Sequence, residues 1–322
     1  MTSKLKISAS AAALALLLGG AATSARAADY VEPGCFLSGS VTAGYMYNWQ
    51  DSEFNDVDGK DTDWDTPFGE GAGLVTCGGF NAQADVAYYA HSADLDTFII
   101  SGEDVDLDST NSHIGGALFW RDPTFAALGV QASWISQDIL AKDTDTFRVG
   151  LFGEFYLNDM FTLGASGAYF NTDNPGGSLA LKDDTDGFEL AAWGKFYATP
   201  DFALSLRGDL LLADPDFADS DVDTDLDGWA ITGEAEYLVW DQGLSIFGGA
   251  RYAEREFSID DGDDFEVDID DFQVFAGLKF AFGQGSTLVE RQRTGTIDNT
   301  SVFQEKLPQF FNSFASQTGS AP

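Results

Sequence analysis

Thirteen ionisable residues recur on one face of short alternating segments: Arg121, Arg148, Lys195, Arg207, Arg251, Arg255 and Lys279, with Asp85, Glu154, Glu189, Asp209, Glu234 and Glu236. In an extended chain residues i and i+2 share a side, so these charges lie opposite the apolar residues of the same segments. Cations and carboxylates opposed across a water-filled space would create a transverse field that orders polar solutes and selects ions. The same groups could instead neutralise one another as salt bridges that fill a closed interior. Seven cations against six carboxylates leave this face a slight basic excess.

A second set of charges lies between the alternating segments. Asp-rich stretches run from Asp56 to Asp65, Asp94 to Asp108, Asp214 to Asp227 and Asp260 to Asp271. Clustered carboxylates attract hard cations and enrich them near a surface. Asp223, Asp225, Asp227 and Gly228, with Glu234 six residues on, satisfy the spacing of a calcium-binding loop. The context fails, because residues 229–240 alternate as a strand and no helix flanks them; adventitious weak Ca2+ binding is the expectation, and no cofactor is required. His91 and His113 fall at the ends of neighbouring segments on the charged face and could share a transition metal, although a third ligand is missing. Their parity also disfavours an external Ser-His hydrolase site, so no enzyme activity is expected.

The elements that must position these residues are strands, expected at about 35–49, 70–79, 82–92, 112–121, 125–135, 146–157, 160–171, 187–197, 201–212, 228–240, 243–257 and 271–282. Phe147, Val149, Leu151, Phe155 and Leu157 share one side while Arg148, Glu154 and Tyr156 share the other. Phe202, Leu204, Leu206, Leu210 and Leu212 likewise oppose Ser205, Arg207 and Asp209. Turns of two to four residues, such as Asp122-Pro123-Thr124 and Asn158-Asp159, alternate with long acidic connections at 50–69, 93–111, 136–145, 172–186, 213–227 and 258–270. An even number of strands with short turns at one end and long loops at the other predicts an all-β, antiparallel up-and-down transmembrane barrel of twelve strands, with periplasmic turns and acidic extracellular loops. A soluble two-layer fold would share the alternation but not the aromatic placement. Phe36, Phe80, Trp120, Phe125, Phe161, Phe202 and Trp240 mark one end of the strands, and Tyr47, Trp49, Tyr88, Trp134, Phe147, Tyr169, Phe188 and Tyr252 the other. Two such belts suit the two membrane interfaces.

The last segment adds a resemblance. Phe275, Gly277, Phe280 and Phe282 are spaced like the assembly signal of bacterial outer-membrane β-barrel proteins, an aromatic-terminated strand with a glycine upstream. It differs in having Phe275 where a polar residue is common and in continuing for 40 residues beyond Phe282. The chain as a whole resembles porin-like channels. That resemblance implies recognition by the barrel-assembly machinery and contact with outer-membrane lipid.

The ends agree with export. Lys4 and Lys6 precede an apolar run from Ala11 to Leu18, and Ala25-Arg26-Ala27 fits a signal-peptidase site, so residues 1–27 are expected to be removed. Cleavage would take three of 16 basic residues and none of 53 acids, leaving 13 − 53 = −40. So negative a chain is unsuited to nucleic acid. In an oxidising compartment Cys35, at the start of the first strand, and Cys77, near the end of the second, are placed to pair. Residues 28–283 would form the barrel, and residues 284–322 a periplasmic tail or a plug. Phe303, Leu307, Phe310, Phe311 and Phe314 could make one face of a short helix broken by Pro308.

The expected function is passive diffusion of small hydrophilic solutes and ions, with a structural or adhesive barrel presenting acidic, cation-binding loops as the alternative. A monomer and a homo-oligomer both remain open. The acidic mouth predicts mild cation selectivity in dilute salt, fading or reversing in concentrated salt as lumen arginines dominate.

Overall fold

The computed structural model describes residues 34–54, 57–58, 62–95, 105–139, 142–173, 184–214, 223–260, 265–298 and 303. In chain order the strands are β1 (Cys35–Phe54), β2 (Val57–Asp58), β3 (Thr62–Cys77), β4 (Phe80–Leu95), β5 (Val105–Asp122), β6 (Ala126–Ile139), β7 (Lys142–Asn158), β8 (Phe161–Thr172), β9 (Thr185–Thr199), β10 (Phe202–Asp214), β11 (Asp223–Trp240), β12 (Leu244–Asp260) and β13 (Phe265–Phe282). The two residues of β2 only extend the tip of β1. The other twelve pair antiparallel in sequence order, and β13 returns to β1 from Gly39 opposite Phe282 to Phe54 opposite Val267. The sheet is thereby closed into a twelve-stranded up-and-down barrel with no free edge.

Local chemistry makes the reversals at the short-turn end. Gly78 takes φ 63° between β3 and β4, and Gly243 takes φ 137° between β11 and β12, conformations for which glycine is suited. Asp122 accepts a hydrogen bond from the Thr124 amide at 2.9 Å, and Asn158 accepts one from Met160 at 2.8 Å. Both are side-chain turns that replace a strand's backbone partner.

The alternation sorts every strand. Leu151, Leu163, Leu206 and Ile231 are exposed on the outer surface, while Thr146, Arg148, Phe170, Asp209 and Ala230 are buried within the barrel. At the outer end Trp49 stacks on Phe272 with centroids 5.7 Å apart, and Trp229 lies 5.4 Å from Tyr252. At the turn end Phe161 stacks on Phe196 at 4.8 Å. Tyr47 and Tyr252 donate their hydroxyls to Asp63 and Asp270, and Tyr45 to Asp65. The upper belt thus hands over from rings to carboxylates.

The strands are longer than the sequence reading expected. Stretches assigned to the long connections continue as ladder: β1 runs to Phe54, β3 begins at Thr62, β5 at Val105, β7 at Lys142, β11 at Asp223 and β13 at Phe265. Their acids misled, since Asp is poor in strands on average but costs little on a watery outer face. The inward positions keep alternating, with Trp64, Thr66, Thr144, Leu226, Val267 and Ile269 all buried. Inward packing, not average propensity, sets where these strands end.

Candidate functional site: the barrel lumen

A cavity of about 310 Å³ lies midway along the lumen. Among the thirteen expected lumen residues, Asp85, Arg148, Glu154, Lys195, Arg207, Glu234, Glu236, Arg251 and Lys279 line it. Four do not. Glu189 and Asp209 stand behind Arg148 and Arg207 as their counter-ions, Arg121 lies under the C-terminal segment, and Arg255 is shut away with Asp271 at 2.6 Å.

Cross-strand geometry decides the pairs. Arg148 on β7 reaches Glu189 on β9 at 2.8 Å, across β8, where small Ala168 is the register neighbour of Glu189. Lys195 on β9 reaches Glu236 on β11 at 3.0 Å, across β10, where Ala203 is the register neighbour of Glu236. A small residue on the middle strand leaves room for the long side chain to cross. Arg207 takes Asp209 of its own strand at 2.8 Å and lies 5.8 Å from the Trp193 ring centroid. Arg251 donates to Thr232 at 3.0 Å.

Several carboxylates were missed by the sequence reading. Glu70 and Asp298 also line the cavity, which brings its complement to six carboxylates against five cations. Among the described residues the cavity lining therefore has no basic excess. Glu70 opens the expected strand 70–79 but was not counted among its inward charges, and Asp298 belongs to a segment with no strand periodicity.

The floor of the lumen is built by residues 284–298. Helix α1 (Leu288–Thr294) opens on a capping box: the Glu290 amide donates to the Thr287 hydroxyl at 3.2 Å, and the Thr287 amide donates to the Glu290 carboxylate at 3.2 Å. Burial works against ionisation of Glu290, but hydrogen bonds from Ser286 and Thr287 outweigh it and hold its carboxyl below the ordinary range. Arg291 donates to the Asp241 carbonyl at 3.0 Å, and Arg293 binds the Asn158 carbonyl and the Asp159 carboxylate, at two of the short turns. Gln292 donates to Glu154 at 2.7 Å, and Arg121 donates to the Gly295 carbonyl at 2.6 Å. The chain then climbs the wall: Thr296 meets Ser40 at 2.9 Å, and Ile297 is bound by Gln83. Phe303 packs higher up among Phe170, Leu211, Leu226 and Phe257.

The spacing from Phe303 to Phe314 could also form one face of a short helix. Residues 304–322 lie outside the described residues, and the helix that is present begins fifteen residues earlier. Thr287-x-x-Glu290 was the signal that could have found it.

Other expected sites resolve differently. Cys35 and Cys77 are register partners on β1 and β3, with Cα atoms 4.3 Å apart, and form a disulfide. Asp223, Asp225 and Asp227 belong to strand β11, and Asp225 and Asp227 are exposed. A continuous strand cannot fold round an ion as a calcium-binding loop does, which agrees with the failed context read from the sequence. His91 and His113 do not converge either. His113 contacts Asp85 at 2.9 Å, whereas His91 contacts Thr66 at 2.9 Å and lies opposite Ser109, four residues along β5 from His113. Of the four assembly-signal residues, Phe275 and Gly277 face the lumen, Phe280 is exposed on the outer surface, and Phe282 covers Gly39 on the same outer side.

No family model matches the chain, and no curated protein matches it in sequence. Solved structures do match. The COG4313 outer membrane channel from Pseudomonas putida F1 aligns with a TM-score of 0.53 at 9% identity, covering 80% of this chain and 100% of that one. The Pseudomonas putida toluene transporter TodX aligns at 0.44 and 10% identity over 83% and 93% of the two chains. The KdgM porin in complex with disordered oligogalacturonate aligns at 0.37 and 9% identity over 74% and 99%. With its closed antiparallel sheet, outward apolar band and charged interior, the chain has the fold of the bacterial outer-membrane β-barrel channels.

Proposed function

We propose that this chain is an outer-membrane channel through which small hydrophilic solutes and ions diffuse passively, and that residues 284–298 act as a plug that narrows the path. The observation that carries the reading is the charged mid-lumen cavity of about 310 Å³, bounded below by α1 and lined by both signs of charge. Burying that many ions in a membrane protein is costly unless they serve a path. Outer-membrane lipid and the barrel-assembly machinery are the partners this reading requires, after export and removal of residues 1–27. The acidic outer end would gather cations, as where Glu256, Glu266 and Asp268 bring their carboxylates within 4.8 Å of one another.

A second reading has its own support. Above the cavity the inward side chains of Asn48, Trp64 and Arg255 are almost entirely buried, as they would be in a sealed barrel whose role is to present its acidic surface. Planar-bilayer recording separates the two. Stepwise conductance by the full chain, increased in a variant ending at Gly283, is the expected result. Silence from both proteins, when both are folded by heat-modifiable mobility, would favour the sealed barrel.

A further inference from the structure

Three inward phenylalanines lie flat against the barrel wall because each covers an inward glycine on a neighbouring strand. A Cβ at Gly277 would stand 2.5 Å from Cζ of Phe247, and one at Gly249 would stand 2.5 Å from Cζ of Phe275. Phe68 covers Gly44 still more tightly. The rings form a continuous patch on the cavity wall: Phe68 and Phe247 are 6.5 Å apart between centroids, and Phe247 and Phe275 are 6.4 Å apart. All three remain partly exposed to the cavity. Wet aromatic surface inside a chamber of this size gains free energy when an apolar body displaces the water.

Carboxylates border that patch. Glu236 is the cross-strand partner of Phe247, and Glu234 is the partner of Gly249, the residue covered by Phe275. Glu236 is already engaged by Lys195 and Ser245. Glu234 lines the cavity with no hydrogen bond or ion pair among the described residues, although the charges of Lys195 and Lys279 act on it from the same wall. A carboxylate outside any hydrogen bond or ion pair, beside an aromatic face, is complementary to an organic cation, through charge at one end and cation–π and apolar contact at the other. The net charge of −37 works in the same direction, drawing cations towards the mouth and repelling anions.

We infer that the lumen cavity binds small aromatic ammonium compounds, with the ammonium group held by Glu234 and the ring lying against Phe247 and Phe275. The inference deepens the channel reading and rests on it only in taking the cavity as reachable by solutes. Lys195 and Lys279, on the same cavity wall, already act on Glu234 and would oppose a second positive group, so the ligand carries one ammonium.

Isothermal titration of the full folded chain in detergent tests this directly, with phenethylammonium and 3-phenylpropanoate as matched probes of opposite charge. Saturable binding of the cation, at least about tenfold tighter than the anion, is the expected result. Glu234→Gln should weaken the cation about fivefold or more, and Phe275→Leu severalfold. Equal affinity for the two probes, or no saturable binding of the cation to the unaltered chain, overturns the inference without requiring any variant to fold. Binding that appears only after residues 304–322 are removed would assign the cavity to the chain's own tail and also overturn it. Bilayer recording keeps the two readings apart. A conducting barrel without cation preference in the titration keeps the channel and loses the ligand, whereas a silent barrel that binds phenethylammonium keeps the ligand and loses the channel.

Discussion

Gln83 holds Ile297 by both ends of one amide. Its carbonyl oxygen accepts from the Ile297 amide at 2.8 Å, and its nitrogen donates to the Ile297 carbonyl at 2.8 Å, although 214 residues separate them. The side chain on β4 thus imitates a strand edge and fixes the segment that climbs from α1. Each such bond contributes about 1 kcal/mol net. Gln83→Leu should therefore loosen residues 295–298 while leaving the barrel folded. Faster hydrogen exchange at the Ile297 amide and a larger or noisier single-channel current would report it, and unchanged exchange would show that Arg121 and Gln292 suffice.

Gly277 tests the ring-over-glycine arrangement. A methyl group there meets the Phe247 ring at 2.5 Å and the Ala43 carbonyl oxygen at 2.6 Å. Gly277→Ala should push Phe247 into the lumen and cost about 1–3 kcal/mol, the usual penalty for overpacking. Denaturant unfolding in detergent measures the cost, and reduced conductance would show the ring displaced into the path.

The disulfide ties β1 to β3 at the short-turn rim, across a sequence separation of 42. Replacing both Cys35 and Cys77 with Ser should destabilise the barrel by about 2–4 kcal/mol, chiefly through the unfolded chain. Equilibrium unfolding of the double variant gives the figure. Thiol labelling of denatured, unreduced protein should find neither cysteine reactive.

Acid should loosen the floor. The Glu290 carboxyl lies below its ordinary value of 4.5 in the folded chain. Its contribution to seating α1 is thus present above that value and is lost as pH falls through the lower, folded one. Because the group is largely exposed, solvent screens much of the effect. Conductance should rise as the pH on the side of the short turns is taken well below the ordinary value of 4.5. Glu290→Gln should flatten that rise; an equal rise in the variant would place the acid response at another carboxylate.

Ion selectivity follows from the charges that line the cavity. Six carboxylates face five cations there, beneath an acidic outer end. Screening over about 8 Å at physiological salt removes the mouth's influence before it removes that of a narrow lumen. Reversal potentials across salt gradients should show cation preference in dilute salt that declines in concentrated salt without changing sign. Reversal to anion preference would mean that Arg207, Arg251 and Lys279 dominate the constriction.

The sequence by itself determined the face on which each strand residue stands. Arg148, Lys195, Arg207 and Glu234 could be assigned to the interior, and Leu151 and Leu206 to the exterior, because the pleat alternates side chains by a local rule that needs no knowledge of neighbouring strands. The same rule with the turn residues gave twelve strands. Tertiary structure alone decided how far those strands run and which charges meet. Asp225 and Asp227 read as loop because Asp disfavours strands on average, yet Leu226 between them is buried in the barrel and keeps the ladder going. The pairing of Arg148 with Glu189, two strands away, depends on the register and curvature of the closed sheet and on the small residue between them. Likewise, only the register of β12 against β13 placed Gly277 beneath Phe247, and only the path of the C-terminal segment set Ile297 against Gln83. Facing is fixed by each residue's own backbone, whereas pairing is fixed by the global register of the barrel.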